Sequence, residues 1–422
     1  MARPFTARLT AAGALAIPNF RFLLAGTTLS NAAQWIQQVT LGWLVYDLTG
    51  SGTALGTLNL LRAVASLALN PIAGLAIDRA PRRRLMLGTQ AWLFLLTLTV
   101  GALVATGRAG VWTLFAFSFF GGAAQAFDLP LRQTVTFDIV PRPLAPNAVA
   151  LVQTGWSLMR SIGPAVGGTL ILYFGPAGNF FIQATAHALI ALSISRISFP
   201  PMRASSTTAG AARRGLFANL GDGITYVLHQ PMTRTFVLMG WILPILIIPT
   251  FSALPPIYAK DVFRGGPEVL GLLMSSVGLG GIAGGIFTAS LGRYERRGLL
   301  QLAALLGTSL ALIAFALSPS LWLALPLLAV AGAFEMVYLT TNQTLLQLSI
   351  PDSMRGRVTS IVSLNMAISP IGAFLAGTGS DLFGPRAATI VMSGAAALIA
   401  LLVFARSATV RDYRLSAAIA SP

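Results

Sequence analysis

Thr27, Asn31, Gln34 and Gln38 recur at i, i+4, i+7 and i+11, which puts them on one stripe of an α-helix. The residues around them are largely apolar. A stripe this polar is costly to leave against hydrocarbon, so it must face an aqueous cavity or a neighbouring helix. Its amides can recognise a ligand by hydrogen bonding. Trp35 and Gln37 lie beside it and add a flat apolar ring and a further amide.

Gln125, Asp128 and Arg132 share a second face at i, i+3 and i+7, and 210 residues later Glu335, Tyr338 and Asn342 repeat that spacing. Gln153, Trp156, Ser157 and Arg160 make a third face. In an apolar setting a carboxyl is favoured in its neutral form, which lets it take up and release a proton. Glu335 is the first candidate carrier, because no basic residue lies between Leu321 and Leu346. Asp128 is the second, since Arg132 one turn away favours its ionised form. Arg160 needs an anion, with Asp128 or Glu335 as partners.

The composition excludes most bond-making chemistry. There is no Cys, so thiolate catalysis, disulfides and Cys-type metal sites are ruled out. The two histidines, His187 and His229, are too few for a histidine-rich metal centre. His187, among Ala and Leu, reads more simply as a packing residue than as a titrating one, and Asp47 as a cap or loop residue. No P-loop, G-x-S-x-G elbow or His/carboxylate metal spacing is present. No cofactor, metal or enzymatic activity is expected. Work done by such a chain would draw on a gradient.

The elements that position these residues follow from the composition. Of 422 residues, 55% are hydrophobic and only 9% charged, against roughly 25% charged in a soluble domain. Apolar stretches of about 20 residues, enough to cross a bilayer, occur at 21–46, 53–76, 85–106, 111–134, 148–173, 179–198, 234–258, 268–291, 299–318, 321–346, 357–379 and 386–406. The 42 Gly and 24 Pro suit membrane helices, where neighbouring helices satisfy the freed backbone groups. The expected fold is an all-α membrane protein of twelve transmembrane helices in two pseudo-symmetric six-helix bundles.

Met1 to Asn19 lacks the compact apolar core of a signal peptide. Twelve spans put both termini on one side, and 22 of the 28 basic residues fall there. Arg108, Lys260, Arg264 and Arg386 fall on the other side, and Arg62 and Arg160 within spans. The positive-inside rule makes both termini cytoplasmic. The net charge of +16 is then a signal of topology and anionic lipid, and no nucleic-acid partner is needed. A Pro, Ser, Thr and Gly stretch from Pro200 to Gly215 precedes an interfacial helix at Ala218 to Gln230. The expected domains are 1–199, a linker and interfacial helix at 200–230, and 231–422.

The halves repeat. Val140-Pro141 matches Ile350-Pro351, Phe174-Gly175-Pro176 matches Phe383-Gly384-Pro385, and Arg79, Arg82 and Arg83 match Arg293, Arg296 and Arg297, at offsets of 209 to 214. Duplicated halves with a site between them are a transporter architecture.

Several motifs carry a family resemblance. The loop with Gly74, Asp78, Arg79, Arg82 and Arg83 resembles the loop signature of the major facilitator superfamily; its later copy has Gly292 in place of the Asp. Gly163, Pro164, Gly167 and Gly168 form a Gly-Pro-x-x-Gly-Gly run that is similar to the antiporter motif of drug-exporting facilitators, although a small-residue packing face would use the same residues. With Asn19-Phe20-Arg21-Phe22, Tyr46 to Ser51 and Asp128 to Arg132, nearly the whole chain resembles the third drug–proton antiporter family, which includes macrolide and enterobactin exporters. One departure is that no basic residue lies between Thr113 and Gln125, where many proton-coupled relatives carry an Arg.

The resemblance implies a monomeric exporter of amphipathic small molecules in the bacterial inner membrane, with alternating access and protons as coupling ion. Asp78 is expected to latch the cytoplasmic side against span eleven near 355–359. A facilitator or importer on the same fold is the alternative, and a non-transporting membrane partner or lipid-modifying enzyme a remote one.

Overall fold

The computed structural model describes residues 13–199, 216–292, 294–351, 354, 357, 358, 361, 365–411 and 413. The expected linker at 200–215 and most of the expected latch contact near 355–359 lie outside them. Among the described residues all regular structure is helical. The main helices are α1 (Pro18–Thr49), α2 (Gly52–Arg79), α3 (Arg82–Ala105), α4 (Val111–Ile139), α5 (Ala145–Ser195) and α6 (Leu216–His229). They continue with α7 (Pro231–Val262), α8 (Pro267–Ser290), α9 (Arg297–Leu317), α10 (Leu321–Leu348), α11 (Asn365–Phe383) and α12 (Pro385–Arg406).

Nine helices among the described residues are long and apolar enough to cross a membrane. α1 is not one of them although it has 32 residues. Its polar stripe lowers its hydropathy. Pro244, Pro249, Pro255 and Pro256 interrupt α7, which widens into π-helical turns at Leu243–Ile247 and Tyr258–Val262, because each proline removes a backbone donor.

The repeated Phe-Gly-Pro tripeptide is a repeated turn. Gly175 and Gly384 both have positive φ, 67° and 83°, which costs glycine little. The proline after each starts the next helical stretch, breaking α5 at Gly175 and opening α12.

Two compact units emerge. The first takes Met1–Leu44 and Leu61–Ser205, the second Val45–Leu60 and Ser206–Pro422. In the first, α3 packs along α5 and α4. In the second, α10 packs along α8 and α9, and α9 along α12. With lipid as solvent, close van der Waals approach holds such helices together, and small residues permit it. In the second unit Gly280 and Gly284 of α8 face the backbone of Ala329 and Ala333, while Gly332 of α10 faces the carbonyl of Val277. Gly122 of α4 meets the Arg62 carbonyl of α2 in the same way in the first unit. Gly122 and Gly332 are 210 residues apart, the same offset as the polar faces that follow them.

A methyl group at either glycine would press on a main-chain oxygen that cannot rotate away. Gly122→Ala and Gly332→Ala should each cost about 1–3 kcal/mol, read as a lower melting temperature in detergent. Gly88→Ala is the control, because nothing lies within 4 Å of its added carbon. Equal melting of all three would remove these crossings as close-packed points.

Candidate functional site

The first unit contains a cavity of about 390 Å³. α1 lines it with Thr27, Asn31 and Gln34, α4 with Gln125, Asp128 and Arg132, and α5 with Gln153 and Trp156. The three faces read from spacing therefore meet at one place. Ser30, Gln133 and Thr136 also line it. Trp35 stacks obliquely on Trp156 with ring centroids 6.3 Å apart, and the Arg160 guanidinium lies 5.7 Å from the Trp156 ring, within cation–π range. Gln38 is not among the lining residues.

The α1–α5 seam explains why these faces converge. A carbon added at Gly155, Gly163 or Gly167 would meet Thr28 Oγ1 at 2.9 Å, Trp35 Cβ at 2.8 Å or Ile36 Cα at 3.1 Å. Pro164 and Gly168 are buried beside them. The Gly-Pro-x-x-Gly-Gly run thus forms part of the packing face against α1. Asn179, past the turn at Gly175, ties the seam by donating to Thr40 Oγ1 at 2.9 Å and to the Gly167 carbonyl at 3.0 Å.

Asp128 is the centre of a buried chain. Its Oδ2 accepts from Arg132 Nε and its Oδ1 from Gln90 Nε2, both at 2.8 Å. Because the Gln90 amide nitrogen faces a carboxylate, its oxygen must face His187, whose Nδ1 is 2.9 Å away. An amide oxygen only accepts, so His187 donates from Nδ1. His187, read above as a packing residue, is therefore hydrogen-bonded. Gln90, fully buried on α3, was missed; a lone amide within the span at 85–106 was the available signal. A small cavity adjoins the first, sharing Ser30, Gln34, Gln125 and Asp128 and adding Gln37, Arg62 and His187.

The other residues singled out from sequence lie elsewhere. Tyr338 is buried in the second unit and donates to the Met239 carbonyl at 2.7 Å. Asn342 accepts from Gln301 Nε2 at 2.6 Å. Glu335 is 4% exposed on α10. Around the loop motif, Gly74 has open space beside it, and exposed Asp78 and Arg79 have no hydrogen bond or ion pair among the described residues. Arg82 instead pairs with Asp138 at the end of α4, and Arg83 donates to the Ser195 carbonyl at 2.9 Å. Asp138 was not anticipated.

In the second unit the N-terminus of α2 is capped from another helix. Asp381 of α11 accepts from the Ser51 hydroxyl at 2.8 Å and from the Gly52 and Thr53 amides at 2.6 and 2.9 Å. These amides are the ones a helix leaves without internal partners. Burial pushes the Asp381 carboxyl up, but hydrogen bonds from Thr53, Ser51 and Gly52 outweigh it and hold the group below its ordinary value. Nearby, Tyr46 donates to Asp261, and Lys260 pairs with Asp47 at 2.5 Å.

The family model described as transmembrane secretion effector, of the major facilitator superfamily, matches residues 9–420. The chain belongs to that family. The multidrug efflux pump Tap of Mycolicibacterium fortuitum is 25% identical over 91% of this chain and 93% of its own length. The staphyloferrin A transporter of Staphylococcus aureus is 25% identical over 86% of this chain and 90% of its own. Among solved structures, a bacterial homologue of the human lysosomal transporter Spinster superposes with a TM-score of 0.74 at 15% identity, covering 93% of this chain and 98% of that one. This likeness shows the fold. The chain is thus a multi-pass membrane protein with the fold of a facilitator, and its polar cavity lies inside apolar helices.

Proposed function

We propose that the chain is a secondary transporter that exports amphipathic small molecules across the bacterial cytoplasmic membrane by alternating access, as a proton antiporter. The observation that carries this reading is the cavity of about 390 Å³, where amides, an Asp–Arg pair and a tryptophan meet within apolar helices. Such a lining suits a bulky ligand with an aromatic or aliphatic body and a few polar groups. The names of two relatives, the multidrug efflux pump Tap and macrolide efflux protein A, support export.

The same reading takes the chain as a monomer of twelve spans in two six-helix halves, with both termini cytoplasmic. In support, nine helices pass on length and hydropathy. The break at Gly175 divides one of these, the polar α1 is long enough to span, and α11 supplies the last.

The test is growth of a drug-sensitive bacterial host on a panel of toxic amphipathic compounds, with and without this protein. Expression should raise the inhibitory concentration of several compounds, and collapsing the proton gradient should abolish the rise. A rise that survives the collapse would remove proton coupling. No rise and no export for any compound would remove the export reading.

A further inference from the structure

The charged groups lining the two adjoining cavities are two arginines and one carboxylate. Arg62 lies mid-way along α2, where its carbonyl meets Gly122, and lines the smaller cavity. It has no hydrogen bond or ion pair among the described residues. The one carboxylate lining either cavity, Asp128, has both oxygens engaged by Arg132 and Gln90. Arg132 is 6% exposed and lines the larger cavity; its Nε donates to Asp128, its Nη1 to Thr27 Oγ1 at 3.5 Å, and its buried Nη2 has no partner among the described residues. Trp35 Nε1, beside Trp156, is likewise buried without an acceptor. Cations within a membrane are costly and are usually matched by an anion. Here the lining supplies two guanidinium groups and one carboxylate, and that carboxylate is already shared.

Resting on the export reading above, we propose that Arg62, with Arg132 lining the adjoining cavity, receives the anionic group of the transported molecule, which is an amphipathic organic carboxylate. The planar guanidinium fork matches a carboxylate with two parallel hydrogen bonds. Gln34, Gln37 and Gln125 supply amides around it, and Trp156 supplies a surface for an apolar or aromatic body. The ligand class thereby narrows from amphipathic small molecules in general to anions. An anionic phospholipid headgroup carries comparable charge, so the test separates the two sources.

The purified protein is reconstituted into vesicles of phosphatidylcholine alone and, in parallel, of phosphatidylcholine with phosphatidylglycerol. The probes are aromatic carboxylates, each paired with its neutral amide, and ethidium as an aromatic cation. Binding is read by calorimetry and transport by flux. The wild type should prefer carboxylates over their amides in both lipids. Arg62→Gln should lose about tenfold or more of that preference, the worth of a hydrogen bond to a charged group. Arg62→Lys should keep part of it, and an unchanged melting temperature confirms folding of both variants. Equal handling of carboxylates and amides, or a preference that survives Arg62→Gln, overturns the proposal. An Arg62→Gln effect that appears only with phosphatidylglycerol, on all probes alike, assigns the arginine to lipid and also overturns it. Transport of ethidium or amides without carboxylates sinks this inference and leaves export standing. No binding or transport of any probe, with no protection in the growth panel, removes both.

Discussion

Asp128→Asn should lower the melting temperature of the protein and reduce export of any compound found in the growth panel by at least about tenfold, because it leaves a buried guanidinium without its anion. Arg132 has a side chain only 7% exposed and Asp128 one only 17% exposed. Removing one partner of such a pair costs about 3–5 kcal/mol, more than the intact pair contributes against apolar replacements. The substitution also places an amide nitrogen against either Arg132 or the Gln90 amide, so one of the two 2.8 Å bonds becomes a clash of donors. Gln90 can answer by rotating its amide, but its nitrogen would then face His187 and turn that hydrogen bond around. Because residues in one network couple, the companion Asp128→Asn/Arg132→Gln should recover most of the melting temperature. Transport should not recover, since the cavity loses its charge pattern. A single Asp128→Asn variant that melts and exports like the parent would show that the chain centred on Asp128 bears on neither stability nor transport.

The helices and the polar faces were legible because both are periodic along one chain. Thr27, Asn31 and Gln34 declared a face by spacing alone, as did Gln125, Asp128 and Arg132, and the three helices meet around one cavity. The Phe-Gly-Pro pair was legible as a repeat, and its meaning as a positive-φ turn at Gly175 and Gly384 became plain only with backbone angles. What stayed hidden depends on which helices touch. Gln90 is a single amide in an apolar run, and only the packing of α3 beside α4 and α5 makes it the link between His187 and Asp128. Arg82 found Asp138 across such a helix contact, and Asp381 found the first turn of α2 from a position 329 residues away at Gly52. Spacing describes one face of one helix and contains no statement about the neighbour that covers it. For the same reason Tyr338 and Asn342, which share a helix face with Glu335, have partners at Met239 and Gln301 that no periodicity reveals.

Glu335→Gln should abolish proton-driven accumulation against a gradient while leaving substrate binding and downhill exchange largely intact. The two carboxylates offered by the spans differ in their surroundings. Asp128 is held by a guanidinium and an amide that both require an acceptor, so protonating it would break a charge-assisted pair. Glu335 is 4% exposed on a helix with no basic residue of its own between Leu321 and Leu346. The gradient does work only if the two conformations bind the proton unequally. Glutamine keeps the size and hydrogen-bonding shape of the protonated acid and removes the exchangeable proton. The loss should therefore fall on coupling, not on folding. Vesicles with an imposed pH gradient separate the two. The variant should equilibrate substrate at the parental rate without a gradient and fail to concentrate it when the gradient is applied. Concentration to the parental level in Glu335→Gln would eliminate this residue as an essential carrier.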